Sequence, residues 1–181
     1  LFPAINGAML NAKVTSAASN GRQFALMLFA KNADLEAAYL PIYDFAGGGS
    51  STEQLRILGA RVEASPAIFG GPKPYYVCTT TNWADLNSSN NIWMATVGGV
   101  SASTGLSGLP MLITRNAQFS GGNLSTFTGV EPDRNSLFAG KYLITVAVDG
   151  AVRKMPVTST VADDFYNLIS ATAMTNDILS P

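Results

Sequence analysis

The sequence predicts an α+β fold in which a long N-terminal helix packs on an antiparallel β-sheet, with short additional helices. Three observations lead to this prediction: an opening segment with helical periodicity, several short β-branched or aromatic runs, and a hairpin signal near the end. A chain of 181 residues is long enough to bury a core without disulfide or metal staples. We assign residues 1–33 to the helix and residues 34–181 to a globular α+β head, together forming a single structural domain.

The opening segment carries one apolar stripe at helical spacing. Pro3 suits the first turn of a helix, and no other proline occurs up to Ala33. Apolar or small residues then recur three and four positions apart, as in an amphipathic helix. They are Leu10, Val14, Ala17, Gly21, Phe24 and Leu28, with Ala25 and Phe29 widening the stripe. About 30 helical residues span roughly 45 Å, so we expect one end to project from the globular body.

The later elements are shorter. Ser50 followed by Glu53 has capping-box spacing and predicts a short helix that ends at Gly59. Short runs rich in β-branched and aromatic residues, bounded by Gly, Pro, Asn and Ser, predict three strands. These are Tyr75–Thr81, Ile92–Val97 and Met111–Thr114. A last helix is expected over Val161–Thr172.

The clearest local signal is a β-hairpin. Asp149-Gly150 lies between the strand-like runs Lys141–Val148 and Ala151–Met155. An Asp-Gly pair between two such runs favours a tight hairpin turn. The simplest arrangement of all these elements is one helix packed across an antiparallel meander.

The composition is apolar and nearly neutral. Hydrophobic residues make up 47% and charged residues 13% of the chain, against a usual charged fraction of about 25%. This excludes an intrinsically disordered chain and makes an ordinary cytosolic enzyme less favoured. Eleven basic and 12 acidic residues give a net charge of −1, so no basic field is available to bind nucleic acid or anionic lipid.

Two absences restrict the chemistry. The chain has no histidine, so a Ser-His-Asp or Cys-His catalytic site cannot form within it. Cys78 is the only cysteine, which excludes an intrachain disulfide and a thiolate zinc cage. Because Cys78 follows an apolar run, we expect a buried and unreactive thiol.

The start of the chain is also informative. It opens Leu1-Phe2-Pro3, with neither a methionine nor a charged signal region, and we expect a truncated or processed product. No run of about 18 apolar residues is present that could span a membrane.

Several groups of residues resemble type IV pilin-like proteins, and most of all the pseudopilins of type II secretion. The first group runs from Leu1-Phe2-Pro3-Ala4-Ile5-Asn6-Gly7-Ala8 through Ala12-Lys13 to Asn20-Gly21-Arg22-Gln23 and Leu26. The later segments are Phe45-Ala46-Gly47-Gly48-Gly49, Pro110–Asn116 and the Asp149-Gly150 hairpin. In that family a methylated Phe, a Thr-Leu-x-Glu motif and about 20 apolar residues precede a proline that matches Pro3. Those parts are missing from this sequence.

The resemblance implies a pilin-like fold and a structural role, without catalysis, cofactor or metal. Such subunits stack through their long helices into a secretion or pilus-like filament whose outside is formed by the heads. The implied partners are other pilin-like subunits and the inner-membrane assembly machinery. The implied location is a bacterial inner-membrane anchor, supplied by the missing N-terminal segment, with the head in the periplasm or outside the cell.

The candidate subunit contacts are Phe2, Ile5, Met9 and Leu10, which are apolar and lie at the projecting end of the helix. Packing within the core of the same chain is the alternative for all four. From Val14 onward, the stripe is expected to lie on the sheet.

The sequence departs from the family in two ways. Many pilins close a C-terminal loop with a disulfide, which the single Cys78 forbids. Major pseudopilins often bind calcium in a late loop, where Glu131, Asp133 and Asn135 offer alternating oxygens, but no EF-hand-like pattern follows and we predict no metal site. Asp163 and Asp164 are better explained as acids favoured near the start of a helix.

Two other functions remain open. A viral capsid or tail structural protein would also explain the low charge and the Gly/Ser/Thr-rich loops. A carboxylate enzyme such as a glycosidase is the third class, but no spacing singles out an acid pair. The candidate acids are Glu53, Glu63, Asp85, Glu131, Asp133 and Asp149.

Overall fold

A computed structural model describes residues 2–37, 49–97, 109–133, 135–147, 149–169 and 177–181. These residues form an α+β structure with a long N-terminal helix on an antiparallel sheet, which confirms the predicted fold class. The helices are α1 (Phe2–Ala37), α2 (Ser51–Arg61) and α3 (Val161–Asn167). The strands are β1 (Trp93–Thr96), β2 (Pro110–Thr114), β3 (Ala117–Phe119), β4 (Phe127–Val130), β5 (Tyr142–Ala147), β6 (Val152–Pro156) and β7 (Ile178–Leu179).

Helix α1 follows the predicted stripe. It is continuous over 36 residues, four residues beyond the predicted end at Ala33. The residues that face the sheet are buried and join the main core; they are Val14, Ala17, Ala18, Gly21, Phe24, Ala25 and Leu28. The prediction for Phe29 was wrong, because its side chain is 46% exposed. At 3.6 residues per turn, Phe29 falls outside the arc that Ala25 and Leu28 occupy.

The main sheet has five antiparallel strands in the order β6-β5-β2-β1-β7. The predicted hairpin is confirmed, since β5 pairs with β6 from Tyr142↔Pro156 to Val146↔Val152. The predicted meander is only partly correct. The last strand returns to the opposite edge, where Ala95 pairs with Leu179. A separate two-stranded hairpin of β3 and β4 interrupts the path from β2 to β5.

The strand predicted over Tyr75–Thr81 is absent from the described structure, and this prediction was wrong. Tyr76 adopts a positive φ of 49°, which a strand does not allow. Its carbonyl accepts a hydrogen bond of 2.7 Å from Gly71 N–H, closing a local turn. Its ring packs under the Arg115 guanidinium at 4.0 Å. The aromatic residues here serve side-chain packing rather than strand pairing.

Helix α2 begins as predicted but ends later. Ser50 caps it, with its hydroxyl accepting from Glu53 N–H at 3.3 Å. The helix then passes through Gly59 to Arg61, so the prediction that Gly59 ends it was wrong. Gly59 is buried, and a Cβ there would collide with the Trp83 ring. Glycine at this position makes room for an aromatic neighbour.

Helix α3 begins at Val161 as predicted and carries Asp163 and Asp164 in its first turn. Phe165 is fully buried and stacks on Phe127 at a centroid distance of 4.2 Å. The helix ends at Asn167, and the predicted extension to Thr172 falls partly outside the described residues. The stacked rings join α3 to the β3–β4 hairpin.

Gly21 sets the closest approach of α1 to the sheet. An ideal Cβ at this position would lie 2.8 Å from Val146 Cγ2 and 2.9 Å from Trp93 Cη2. Both distances are shorter than real Cβ contacts. The absent side chain therefore lets the helix backbone lie directly on the Trp93 ring and on β5.

We predict opposite effects for two glycine substitutions in α1. Gly21→Ala should lower the free energy of unfolding by about 1–3 kcal/mol, because the new methyl overpacks the contact with Trp93 and Val146. Gly7→Ala is the matched control, since nothing lies within 4 Å of its Cβ position. Alanine there should raise stability by up to about 1 kcal/mol through helix propensity. Urea unfolding of both variants measures the difference, and equal stabilisation by the two would contradict this account.

Cys78 is buried, as predicted, with 7% of its surface exposed. Desolvation by burial raises the pKa of its thiol, and a backbone hydrogen bond from Thr80 partly opposes this. The folded chain therefore holds the thiol proton more tightly than the unfolded chain does.

The raised pKa predicts a pH-dependent contribution to stability. The contribution is fully present below the thiol pKa of the unfolded chain, about 8.5, and is lost as the pH rises through the folded pKa. Cys78→Ser removes this titration. The stability difference between wild type and Cys78→Ser should therefore stay constant below about pH 8.5 and shift against the wild type as the pH rises above it, as measured by urea unfolding. A pH-independent difference would show that burial does not perturb the thiol.

Candidate functional site

The front of α1 presents two apolar side chains to solvent. Ile5 is 48% exposed and Met9 is 55% exposed. They lie four residues apart, so they neighbour each other on one side of the helix. Val14 and Gly21 lie about half a turn away on the buried side. The exposed pair therefore faces away from the sheet.

The four candidate contact residues do not share one environment. Ile5 and Met9 are about half exposed, and neither packs against the main core. Leu10 is half-buried and packs against the main core, so it contributes to the head as well as to the helix surface. The side chain of Phe2 lies outside the described residues, although its backbone is helical.

The exposed side of α1 continues without charge behind Met9. Ala12, Ser16, Ser19 and Gln23 follow on the same side of the helix, and all are exposed. The basic residues of this segment, Lys13 and Arg22, lie on the flanks. The outward face is therefore small, uncharged and apolar at its front.

A groove of ≈ 490 Å³ runs beside the helix front. Its described lining combines helix residues with two loops of the head. These are Asn6, Gly7, Met9, Leu10, Lys13, Pro72, Pro74, Tyr75, Phe138, Ala139 and Lys141. Apart from Lys13 and Lys141, this lining is uncharged, so the groove is mainly apolar and positive where it carries charge. We call it the front groove.

An unusual backbone turn forms one wall of the front groove. Phe138, Ala139 and Gly140 all have positive φ, of 57°, 55° and 65°. Such a conformation is costly for residues with a side chain and persists only where the surroundings enforce it. Gly140 is required here, because a Cβ would lie 2.6 Å from the Glu131 carbonyl oxygen. Sequence reasoning missed this wall, and the glycine was the only available signal.

Polar contacts fix the helix beside the groove. Tyr142 Oη donates to Asn11 Oδ1 at 3.1 Å, which links α1 to β5. Lys154 Nζ donates to Thr15 Oγ1 at 3.3 Å, which links it to β6. The first of these bonds lies two residues behind Met9, so the helix is held to the head just behind its exposed front.

The late acidic loop is organised by its own backbone. Asp133 Oδ1 accepts from Asn135 N–H at 2.8 Å, which is an Asx turn. Ser136 Oγ donates to the carbonyls of Asp133 and Glu131, at 2.6 Å and 3.3 Å. Within the described ranges, no group of three or more His, Cys, Asp or Glu residues could hold a metal ion.

Two other candidate acids also have local structural roles. Asp149 Oδ1 accepts from Ala151 N–H at 2.8 Å in the hairpin turn. Asp85 Oδ2 accepts from the Thr80 hydroxyl at 3.2 Å. These bonds explain the two acids as turn-forming residues.

The comparisons with known proteins give no assignment: no protein-family model, curated protein or solved structure matches this chain. Among the described helices, none is both long and apolar enough to cross a bilayer.

Proposed function

We propose that this chain is a structural subunit of a pilin-like filament, a pseudopilin or pilin-like protein that assembles through its N-terminal helix. One observation carries the proposal. One side of α1 is buried against the head between Val14 and Leu28, whereas Ile5 and Met9, on the other side at the front of the helix, are about half exposed. Exposed large apolar side chains at the front of a helix are suited to contact a neighbouring subunit there.

The energetics favour burial of this front. Full burial of a large aliphatic side chain stabilises a contact by about 1.5–3 kcal/mol, and Ile5 and Met9 each retain roughly half of that potential. The uncharged side chains of Ala12 and Ser16 allow another helix to approach, because burying an unpaired charge would cost more than either contact gains.

Partners and location follow from this role. The partners are other copies or relatives of this subunit and the inner-membrane machinery that assembles them. The head lies in the periplasm or outside a bacterial cell, and the membrane anchor precedes Leu1 in the full gene product. The subunit transmits force or builds a fibre and catalyses no reaction.

The test is a charge placed at the helix front. Ile5→Asp combined with Met9→Asp, in the full gene product, should abolish filament formation, because two carboxylates would have to be desolvated in the contact. Filaments are counted by electron microscopy of the producing cells. Ile57→Asp is the matched control, since Ile57 is an equally exposed apolar residue, at 45%, on α2; this variant should assemble normally.

A stability measurement separates assembly from folding. Because Ile5 and Met9 are exposed, the double variant should unfold within about 0.5 kcal/mol of the wild type. A loss of several kcal/mol would instead place the two residues in the core. If the double variant forms filaments as the wild type does, Ile5 and Met9 do not form the proposed subunit contact. The gene upstream of Leu1 should also encode a short basic leader and about 20 apolar residues.

A further inference from the structure

Strand β6 forms one edge of the main sheet. It pairs with β5 on one side, and no described strand pairs with its other side. A free edge presents a row of backbone N–H and C=O groups that can accept a further strand.

The hydrogen-bond register identifies the outward groups. Ala147 N–H donates to the Ala151 carbonyl at 2.8 Å, and Val157 N–H donates to the Lys141 carbonyl at 2.9 Å. In an antiparallel pair these positions alternate. The N–H and C=O groups of Val152 and Lys154 therefore point away from β5, and within the described part of the chain no hydrogen bond reaches them. Pro156 adds only a carbonyl, since proline lacks an N–H.

A pocket lies on each face of this edge. On the α1 side a pocket of ≈ 580 Å³ is lined by Thr15, Ser19 and Arg22 together with β6. On the α3 side a pocket of ≈ 620 Å³ is lined by Asp164 and Leu168 together with β6. Successive side chains of a strand point to opposite faces. A strand added to β6 would therefore place alternate side chains in the two pockets, which is how strand-adding domains obtain specificity.

The exposed charged residues around the edge are three cations and two acids, with a net charge of +1. Arg22, Arg153 and Lys154 are exposed around the two pockets, with Asp149 and Asp164 as the acids. The side chain of Arg153 makes no salt bridge or hydrogen bond within the described ranges. A second copy of β6 is a poor occupant, because antiparallel pairing centred on Arg153 or on Lys154 places like charges opposite each other.

We propose that the free edge of β6 binds an extended acidic segment of a partner protein by strand addition. The outward N–H and C=O groups of Val152 and Lys154 supply the backbone bonds, and Arg153 and Lys154 select acidic side chains. The inference goes beyond the proposed function and does not depend on it, because none of the residues of the edge lines the front groove.

A synthetic peptide tests the proposal directly. The probe is about six residues long, a usual strand length, with two adjacent glutamates between valines, so that one carboxylate lies on each face of the edge. Isothermal titration calorimetry measures its affinity for the chain, and ¹⁵N NMR follows the amides of Val152 and Lys154, which should shift most. A peptide with lysine replacing glutamate should bind at least about tenfold more weakly, equivalent to about 1.4 kcal/mol.

Three protein variants and one further peptide examine the mechanism. Arg153→Glu combined with Lys154→Glu should weaken binding of the acidic peptide about tenfold or more. The control Lys73→Glu changes an exposed cation outside both pockets and should leave affinity unchanged. Val152→Pro removes one outward N–H, which an edge strand tolerates, and should also weaken binding. An acidic peptide N-methylated at alternate amides tests the same bonds without altering the protein.

Three outcomes would overturn the proposal. The first is no measurable binding of the acidic peptide to the wild type. The second is equal affinity for the methylated peptide, since strand addition requires backbone bonds. The third is a peptide-free dimer, seen by sedimentation, that Val152→Pro dissociates, which would make a second copy the occupant of the edge.

Discussion

The contact of Gly21 with Trp93 and Val146 determines how the rest of the structure is arranged. It brings the backbone of α1 onto the sheet at van der Waals distance and fixes the rotation of the helix about its axis. Once that rotation is fixed, 3.6-residue periodicity decides which side chains face solvent along the whole helix. The contact also has a cost, since the indole N–H of the fully buried Trp93 has no hydrogen-bond partner among the described residues.

The sequence predicted the elements whose signals are local. Helix α1 carries its own periodicity, and the β5–β6 hairpin carries its own Asp-Gly turn. Elements that depend on distant partners were missed. Strand β7 has two residues and depends on partners distant in the sequence, mainly β1, while β3 and β4 are short and mostly lack alternating burial. Tyr76 shows the converse, because aromatic composition favoured a strand where a turn and the Arg115 contact prevail.

The candidate site divides in the same way. Exposure of Ile5 and Met9 follows from helical spacing once the buried side of α1 is known. Helical spacing does not predict the half-burial of Leu10 or the shape of the front groove, because both depend on loops of the head. The wall formed by Phe138 and Ala139 rests on left-handed backbone that residue type disfavours, so no local rule predicts it.

The two proposed surfaces lie in sequence along the same helix. Residues from Asn6 to Lys13 line the front groove, and residues from Thr15 to Arg22 line one wall of the β6 edge. They offer different chemistry, since the front presents apolar side chains and the edge presents backbone bonds with a basic rim. A neighbour that covers Ile5 and Met9 therefore leaves the outward bonds of Val152 and Lys154 unsatisfied. A strand of acidic character can complete them without competing for the helix, so the physics of the two surfaces allows both to be occupied in one assembly.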